Sequence, residues 1–370
     1  MLRLTYLCLL SFLSLFACGE SVRMTAGTTA VNMDITPDEM QKIYEEIKTP
    51  YKYGIVLEPS EGKMLDNPNV FRYGDVWYMM YIVFDNRGYE TWLAKSADLL
   101  HWKTLGPVLL RGAEGMWDCA QADGGPSLMD MQWNGSNTLS KVDGKYWMTY
   151  IGGAKTGYET DPLAIGIATA TDPSVARLWT REESRPVLAP WDKSTRWFEN
   201  VTLFKSFVVT DEACRLGRKY VMYYNAKTGE QPGQTQRWLE SIGMAVSDDM
   251  RVWERYGSEP VILDREGVNE AAISADPMVR KIGDKWVMFY FGYLWGRFKT
   301  HAGDTFAVSR DLVHWTKWKG EPLVFPSASW DCDHAHKPWV IKHQGVVYHF
   351  YCAVGKRGRV LALATSKDLR

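Results

Sequence analysis

Apolar positions recur along this chain in one repeated pattern: a Gly- or charge-bearing turn, then aromatic, apolar, Met or His, any residue, Tyr. The copies are Trp77-Tyr78-Met79-Met80-Tyr81, Tyr146-Trp147-Met148-Thr149-Tyr150, Tyr220-Val221-Met222-Tyr223-Tyr224, Trp286-Val287-Met288-Phe289-Tyr290 and Val347-Tyr348-His349-Phe350-Tyr351. Turns such as Gly74-Asp75, Asp143-Gly144-Lys145 and Gly283-Asp284-Lys285 precede them, so each predicts a hairpin leading into an aromatic-rich strand. An apolar strand lies ahead of every turn: Pro68-Asn69-Val70-Phe71, Pro126-Ser127-Leu128-Met129, Val201-Thr202-Leu203-Phe204, Pro277-Met278-Val279 and Pro338-Trp339-Val340-Ile341. A third strand of smaller residues follows, as in Thr91-Trp92-Leu93-Ala94, and a short fourth reads Pro107-Val108-Leu109 or Pro260-Val261-Ile262.

Four strands per copy, recurring every 50 to 75 residues or so (roughly the length of a propeller blade), predict meandering sheets set in a ring. The last copy reaches residue 370 without its fourth strand, while residues 53–59 read as an orphan fourth strand ahead of the first copy. Pairing the two covers otherwise bare edges. The expected fold is all-β: a five-bladed β-propeller of four-stranded antiparallel blades over residues 51–370, with the last blade closed by an N-terminal strand. Residues 18–50 are expected to hold a tether and a short helix capped at Thr36-Pro37.

The start of the chain is different. A weakly basic Met1-Leu2-Arg3 precedes an apolar run from Leu4 to Phe16, too short for a bilayer span but suited to a secretory signal. The run ends Leu15-Phe16-Ala17-Cys18, which resembles the lipobox of bacterial lipoproteins. That resemblance implies a signal peptide over residues 1–17, lipidation at Cys18 and a bacterial cell-envelope location, periplasmic or on the outer-membrane surface. The lipid would be the sole membrane contact. An ordinary signal peptide with a chance cysteine is the plainer alternative.

Composition narrows the function. Lys+Arg number 43 against 44 Asp+Glu, so no broad basic surface is present and nucleic-acid binding is excluded as the main role. Aromatic residues make up 13%, favouring strands and stacking surfaces for sugar rings. Cys119, Cys214, Cys332 and Cys352 form no C-x-x-C pair, which gives no zinc signature.

Inner strands of a propeller face its axis, so residues at their entrances are the ones able to converge. These are Asp66-Asn67, Asp123, Glu199-Asn200, Asp276, and His334, His336 and Lys337, an ionisable group in every copy. Convergent carboxylates repel, which raises one pKa while another group stays ionised. Two such groups flanking a glycosidic bond would cleave it. Each has a bland reading as well. Asp66 and Asp276 suit turns before proline, and Glu199 could pair with Arg196. Arg87, Tyr89 and Trp92, with Lys155 and Tyr158, lie on long second-to-third-strand connections that could reach a substrate or merely sit on the rim.

Leu65-Asp66-Asn67-Pro68 and the repeated S-x-D-L-x-x-W, seen as Ser96 to Trp102 and Ser309 to Trp315, resemble motifs of the propeller glycoside hydrolases of families 43, 32, 62 and 117 and the related family 130. The resemblance implies an exo-acting hydrolase trimming a terminal sugar from an oligo- or polysaccharide by inversion. It makes Asp66 the general base, Glu199 or His336 the acid, and Asp276 a residue that orients substrate or tunes the acid. Asp123, His334 and Lys337 would contact substrate. Glu270 is a further candidate. The chain departs from families 43 and 32 by offering Glu in copy three and Asp in copy four, which leaves the acid open. No cofactor is implied; a structural calcium ion by the axial histidines is the alternative. A non-catalytic glycan-binding lipoprotein and a family-130-like phosphorylase are the competing functions.

Overall fold

The computed structural model describes residues 34–229, 238–264, 271–293 and 301–370. The expected signal peptide, Cys18, the tether through residue 33 and Glu270 lie outside these residues. Among the described residues no helix is long and apolar enough to cross a membrane.

After a first strand β1 (Tyr51–Leu57), the polypeptide forms sheets by simple meander. One holds β2 (Met64–Tyr73), β3 (Val76–Phe84), β4 (Tyr89–Ser96) and β5 (Lys103–Leu109). The next holds β6 (Gln121–Pro126), β7 (Tyr146–Gly153), β8 (Ala164–Ala170) and β9 (Thr180–Arg181). Two further groups follow: β10 (Thr202–Thr210), β11 (Tyr220–Thr228), β12 (Trp238–Ser247) and β13 (Glu254–Arg255), then β14 (Ala271–Ile282), β15 (Lys285–Tyr293), β16 (Ala302–Ser309) and β17 (Thr316–Lys317). A short parallel pairing of residues 238–240 with 271–273 joins these two groups into one sheet. The last sheet contains β18 (His334–His343), β19 (Val346–Gly355) and β20 (Gly358–Thr365). On its open edge lies β1, with Tyr51 opposite Thr365, as the orphan strand in the sequence required.

The repeated pattern fills the core. Tyr81, Tyr150, Tyr224, Tyr290 and Tyr351, which end the aromatic copies, are all buried. Burying a large apolar side chain contributes about 1.5–3 kcal/mol. The first strands β2, β6, β10, β14 and β18 each touch the next, and β18 touches β2.

Four of these first strands slip register close to their entrances, between Asp66 and Asn69, Leu203 and Ser206, Ala275 and Met278, and His336 and Trp339. Three of the bulged residues, Asn67 (φ 50°), Asp276 (φ 54°) and Lys337 (φ 64°), adopt the left-handed conformation immediately before proline. That backbone costs a non-glycine residue about 1–2 kcal/mol and persists only where the surroundings enforce it. Asp66, Asp276, His336 and Lys337 therefore sit inside the strands, at or beside bulges, and Asp123 lies within β6, whereas Glu199 is in the loop ahead of β10.

Helix α1 (Pro37–Ile47) starts with the expected cap: Thr36 accepts from the Glu39 backbone, and the Glu39 carboxylate accepts from the Thr36 backbone. It buries Met40, Ile43 and Ile47. Its carboxylates reach Lys285 (3.1 Å from Glu39) and Lys342 (from Glu46), both beside hairpin turns between first and second strands. The helix thus docks at the end of the sheets opposite the bulges.

Candidate active site

The bulges turn polar side chains onto one another. Lys337 Nζ donates to Glu159 Oε1 at 2.7 Å and to Asp66 Oδ2 at 3.1 Å, and lies 3.9 Å from Asp276 Oδ2. Asp66 is saturated. Its Oδ1 accepts from the Asn67 backbone at 2.8 Å, while its Oδ2 also accepts from Tyr158 Oη at 2.7 Å and from Arg359 at 3.1 Å. Asn67 Nδ2 donates to Asp123 Oδ1 at 2.7 Å. Lys205, in the bulge of β10, points its ammonium over the Trp339 ring at 5.4 Å and meets no hydrogen-bond partner among the described residues. Asp66, Asp123, Asp276, Lys205, His336 and Lys337 are all buried.

Burial pushes the Asp66, Asp123 and Asp276 carboxyls upward, and the nearby cations decide the net result. For Asp66, Lys337 and Arg359 outweigh burial and hold it well below the usual carboxylate range. For Asp123 burial wins, aided by repulsion from Asp66 and Asp276 and only partly offset by Lys337, so it is pushed up to about 7. Asp276 is likewise raised by burial, against Lys337 and Lys205. His336 is held well below the ordinary range by burial and by Arg359, so it stays neutral. Because the Cys352 carbonyl 3.2 Å away can only accept, His336 Nδ1 carries the proton. His334 is the opposite tautomer, its Nδ1 accepting from the Ala302 backbone at 3.1 Å.

A second ring of positions opens above the bulges. Three register steps beyond Tyr81, Tyr224, Tyr290 and Tyr351, the third strands place Tyr89, Glu240, Ala302 and Arg359. Glu240 is half-buried and accepts from Asn225 Nδ2 at 3.1 Å. Burial, with Glu159 and Asp276 nearby, lifts its carboxyl to about 7 against the Asn225 hydrogen bond and Lys227. Glu159, left-handed at φ 45°, rides on the β7–β8 connection, which the buried Gln121 clips by donating to Lys155 O (2.9 Å) and Gly157 O (2.7 Å). Tyr158 is wedged edge-on against Phe84 and Tyr89, with Arg359 4.6 Å over its ring.

Several sequence candidates fall elsewhere. Glu199 is fully buried and completely bonded: Arg196 at 3.0 Å, Arg255 at 2.5 Å and Tyr224 Oη at 2.6 Å. Burial raises its pKa, but these partners bring it below the ordinary value. The register of β10 and β11, where Phe207 opposes Tyr223, makes Phe204 and Lys205 the counterparts of Asp66 and Asn67. Glu199 lies five residues upstream of that point. It matches Asp118 and Asp331, which likewise accept from the repeat tyrosine (Tyr150 at 3.1 Å, Tyr351 at 2.8 Å) and from a cation (Arg181 at 2.5 Å, and Lys52). Arg87 is an exposed rim residue paired with Asp85 at 3.0 Å. Lys155 is exposed, and Trp92 is half-buried, its Nε1 3.4 Å from Glu90. Tyr89 is buried behind Tyr158 and offers no open stacking face.

Glu240 and Arg359 are absent from the sequence candidates, which come from the entrances of first strands and the long connections. A charged residue opening an otherwise apolar third strand was the available signal. Among the described residues no group of three or more His, Cys, Asp or Glu side chains is arranged to hold a metal ion. His334 and His336 offer nitrogens, whereas calcium takes six to eight oxygen ligands, so this pair does not suit it.

No family model matches the chain. Among solved structures, one described as a complex of BT0996 with RGII is 45% identical with a TM-score of 0.85, covering 91% of this chain and 97% of that protein. A structure described as a glycoside hydrolase gives 44% and 0.85 at the same coverage. The chain therefore belongs to the β-propeller glycoside hydrolase superfamily. Over 162 residues it is also 30% identical to the beta-1,2-mannobiose phosphorylase of Thermoanaerobacter sp. (strain X514), covering 41% of this chain and 48% of that protein. It spans about half the length of the curated relatives it matches.

Proposed function

We propose that this protein is an exo-acting glycoside hydrolase that removes a terminal sugar from an oligo- or polysaccharide. The observation that carries this reading is the pair Glu159 and Glu240: two partly exposed carboxyls above a buried acid–cation cluster, one of them held up to about 7. Glycoside hydrolysis needs one carboxyl to protonate the leaving oxygen and a second to activate water or attack the anomeric carbon. Glu240 takes the acid role and Glu159, steadied by Lys337, the second. Asp66, engaged by four donors and held well below the usual carboxylate range, is a weak base and acts by fixing Lys337. His336, held neutral, is a poor acid. Asp123 and Asp276 lie deeper and tune the charge around the sugar. This assignment replaces Asp66 as base and Glu199 or His336 as acid.

The return of β18 onto β2 supports a closed ring of five blades, completed by β1. A deep, buried cluster supports attack on the end of a glycan. The likeness to the BT0996 complex with RGII supports an RGII-derived glycan as substrate. Lipidation at Cys18 and a cell-envelope location remain part of the proposal, supported by the Leu15 to Cys18 motif.

Phosphorolysis is the second reading, favoured by the mannobiose phosphorylase match and by Lys205, Lys337 and Arg359 among the acids. The test is product analysis on RGII-derived oligosaccharides with and without inorganic phosphate. Free sugar formed at a rate independent of phosphate is expected. Sugar 1-phosphate that depends on phosphate would install the second reading, and binding without turnover would leave a glycan-binding protein. Proton NMR of the first-formed anomer then reads inversion or retention.

A further inference from the structure

Asn225 stands out among the residues behind the acid. It follows Tyr224 on β11, is buried, and projects on the same sheet face as Glu240 two register steps away. Its Nδ2 serves Glu240 Oε2 at 3.1 Å, yet its buried Oδ1 accepts from nothing among the described residues. The same step of the first sheet is filled by apolar Ile82 opposite Thr91, so strand packing alone does not call for an amide. A primary amide carries two donors on one arm and an acceptor on the other, and half a turn about Cβ–Cγ exchanges them.

Resting on the reading of Glu240 as the acid, we propose that Asn225 is its positioning residue, exchanging the two ends of its amide as the carboxyl gives up and regains its proton. With Glu240 protonated, Oδ1 accepts the carboxyl O–H and holds it. When substrate arrives, the proton passes to the glycosidic oxygen. The bond from that oxygen to the anomeric carbon breaks with its electron pair leaving on the alcohol. The anomeric carbon gains a new bond either to water, whose proton Glu159 takes, or to the Glu159 carboxylate. The Glu240 carboxylate left behind accepts from Nδ2. Both proton states then have a partner from one side chain.

The readout is a carbon-13 titration of protein labelled at glutamate carboxyls, with Glu240→Gln identifying the Glu240 signal. In the wild type that signal is expected to titrate near pH 7. Donation from Nδ2 to the ionised carboxylate is charge-assisted and stronger than acceptance of the neutral carboxyl O–H by Oδ1, so losing both bonds in Asn225→Leu is expected to move the midpoint up by about half to one pH unit. Asn225→Asp, of the same shape but carrying a like charge, moves it further. The alkaline limb of kcat/KM shifts equally, and kcat falls about tenfold with KM little changed. An unmoved midpoint in both folded variants overturns the role of Asn225 alone. A wild-type Glu240 midpoint in the ordinary carboxylate range, or full turnover by Glu240→Gln, overturns the acid assignment instead.

Discussion

Buried carboxylates occupy two settings in this protein. In the outer setting Asp118, Glu199 and Asp331 each tie the loop before a first strand to the repeat tyrosine of the second strand and to a cation beyond. In the inner setting Asp66, Asp123, Asp276 and Glu159 share Lys337, Arg359 and Lys205, and Glu240 faces Glu159 and Asp276 with Lys227 as its cation. Where each acid owns its cation, the group is fixed and its charge is settled. Where acids outnumber cations, one stays ionised while others are driven toward neutral pH, which is the condition for moving protons. Burial by itself does not tell the two apart; the completeness of pairing does.

Exchanging chemistry between the settings is the sharpest way to break this contrast. Glu240→Gln should lower kcat by about 10³-fold, within the range for a general acid, and leave the melting temperature within about 2 °C. Glu199→Ala should do the reverse. Removing one member of a buried ion pair costs about 3 kcal/mol, a fall of several degrees in Tm, while kcat of the folded protein below the transition stays within about twofold. Loss of turnover in Glu199→Ala at unchanged Tm would return that residue to the catalytic set.

Asp123 gives a smaller effect with a definite sign. Its folded pKa of about 7 lies above the ordinary value near 4. The protonated form therefore favours folding fully below about pH 4, and that contribution is lost as pH rises through 7. Asp123→Asn cannot ionise and still accepts from Asn67. Its Tm should exceed wild type by a few degrees at pH 8 and match it at pH 4, measured by scanning calorimetry. The smallest effect concerns activity alone: kcat/KM should decline above about pH 7 as Glu240 loses its proton. A flat profile to pH 9 would argue against an inner acid of that kind.

Much of this was legible in the sequence. The aromatic copies with their turns marked out the sheets, and the unpaired fourth strand foretold β1 beside β20. Proline marked the bulge register at Asn67-Pro68, Asp276-Pro277 and Lys337-Pro338. In copy three Ser206 stands where proline would be, so no residue marks the bulge in the sequence and Glu199 offers the nearest carboxyl ahead of the strand. Glu159 and Glu240 converge through loop geometry and strand register, which no local motif records. The bonding that weakens Asp66 as a base draws on Arg359, distant in sequence and close only once the last sheet meets the first.

The docking of α1 fixes which way the inner acids face. Glu39 and Glu46 pin that helix to the hairpin ends remote from Glu159 and Glu240. A bead, sensor chip or partner domain coupled just ahead of residue 34 would hold the molecule from behind, with its inner acids presented to the solution. Coupling through the β7–β8 connection would instead crowd the entrance.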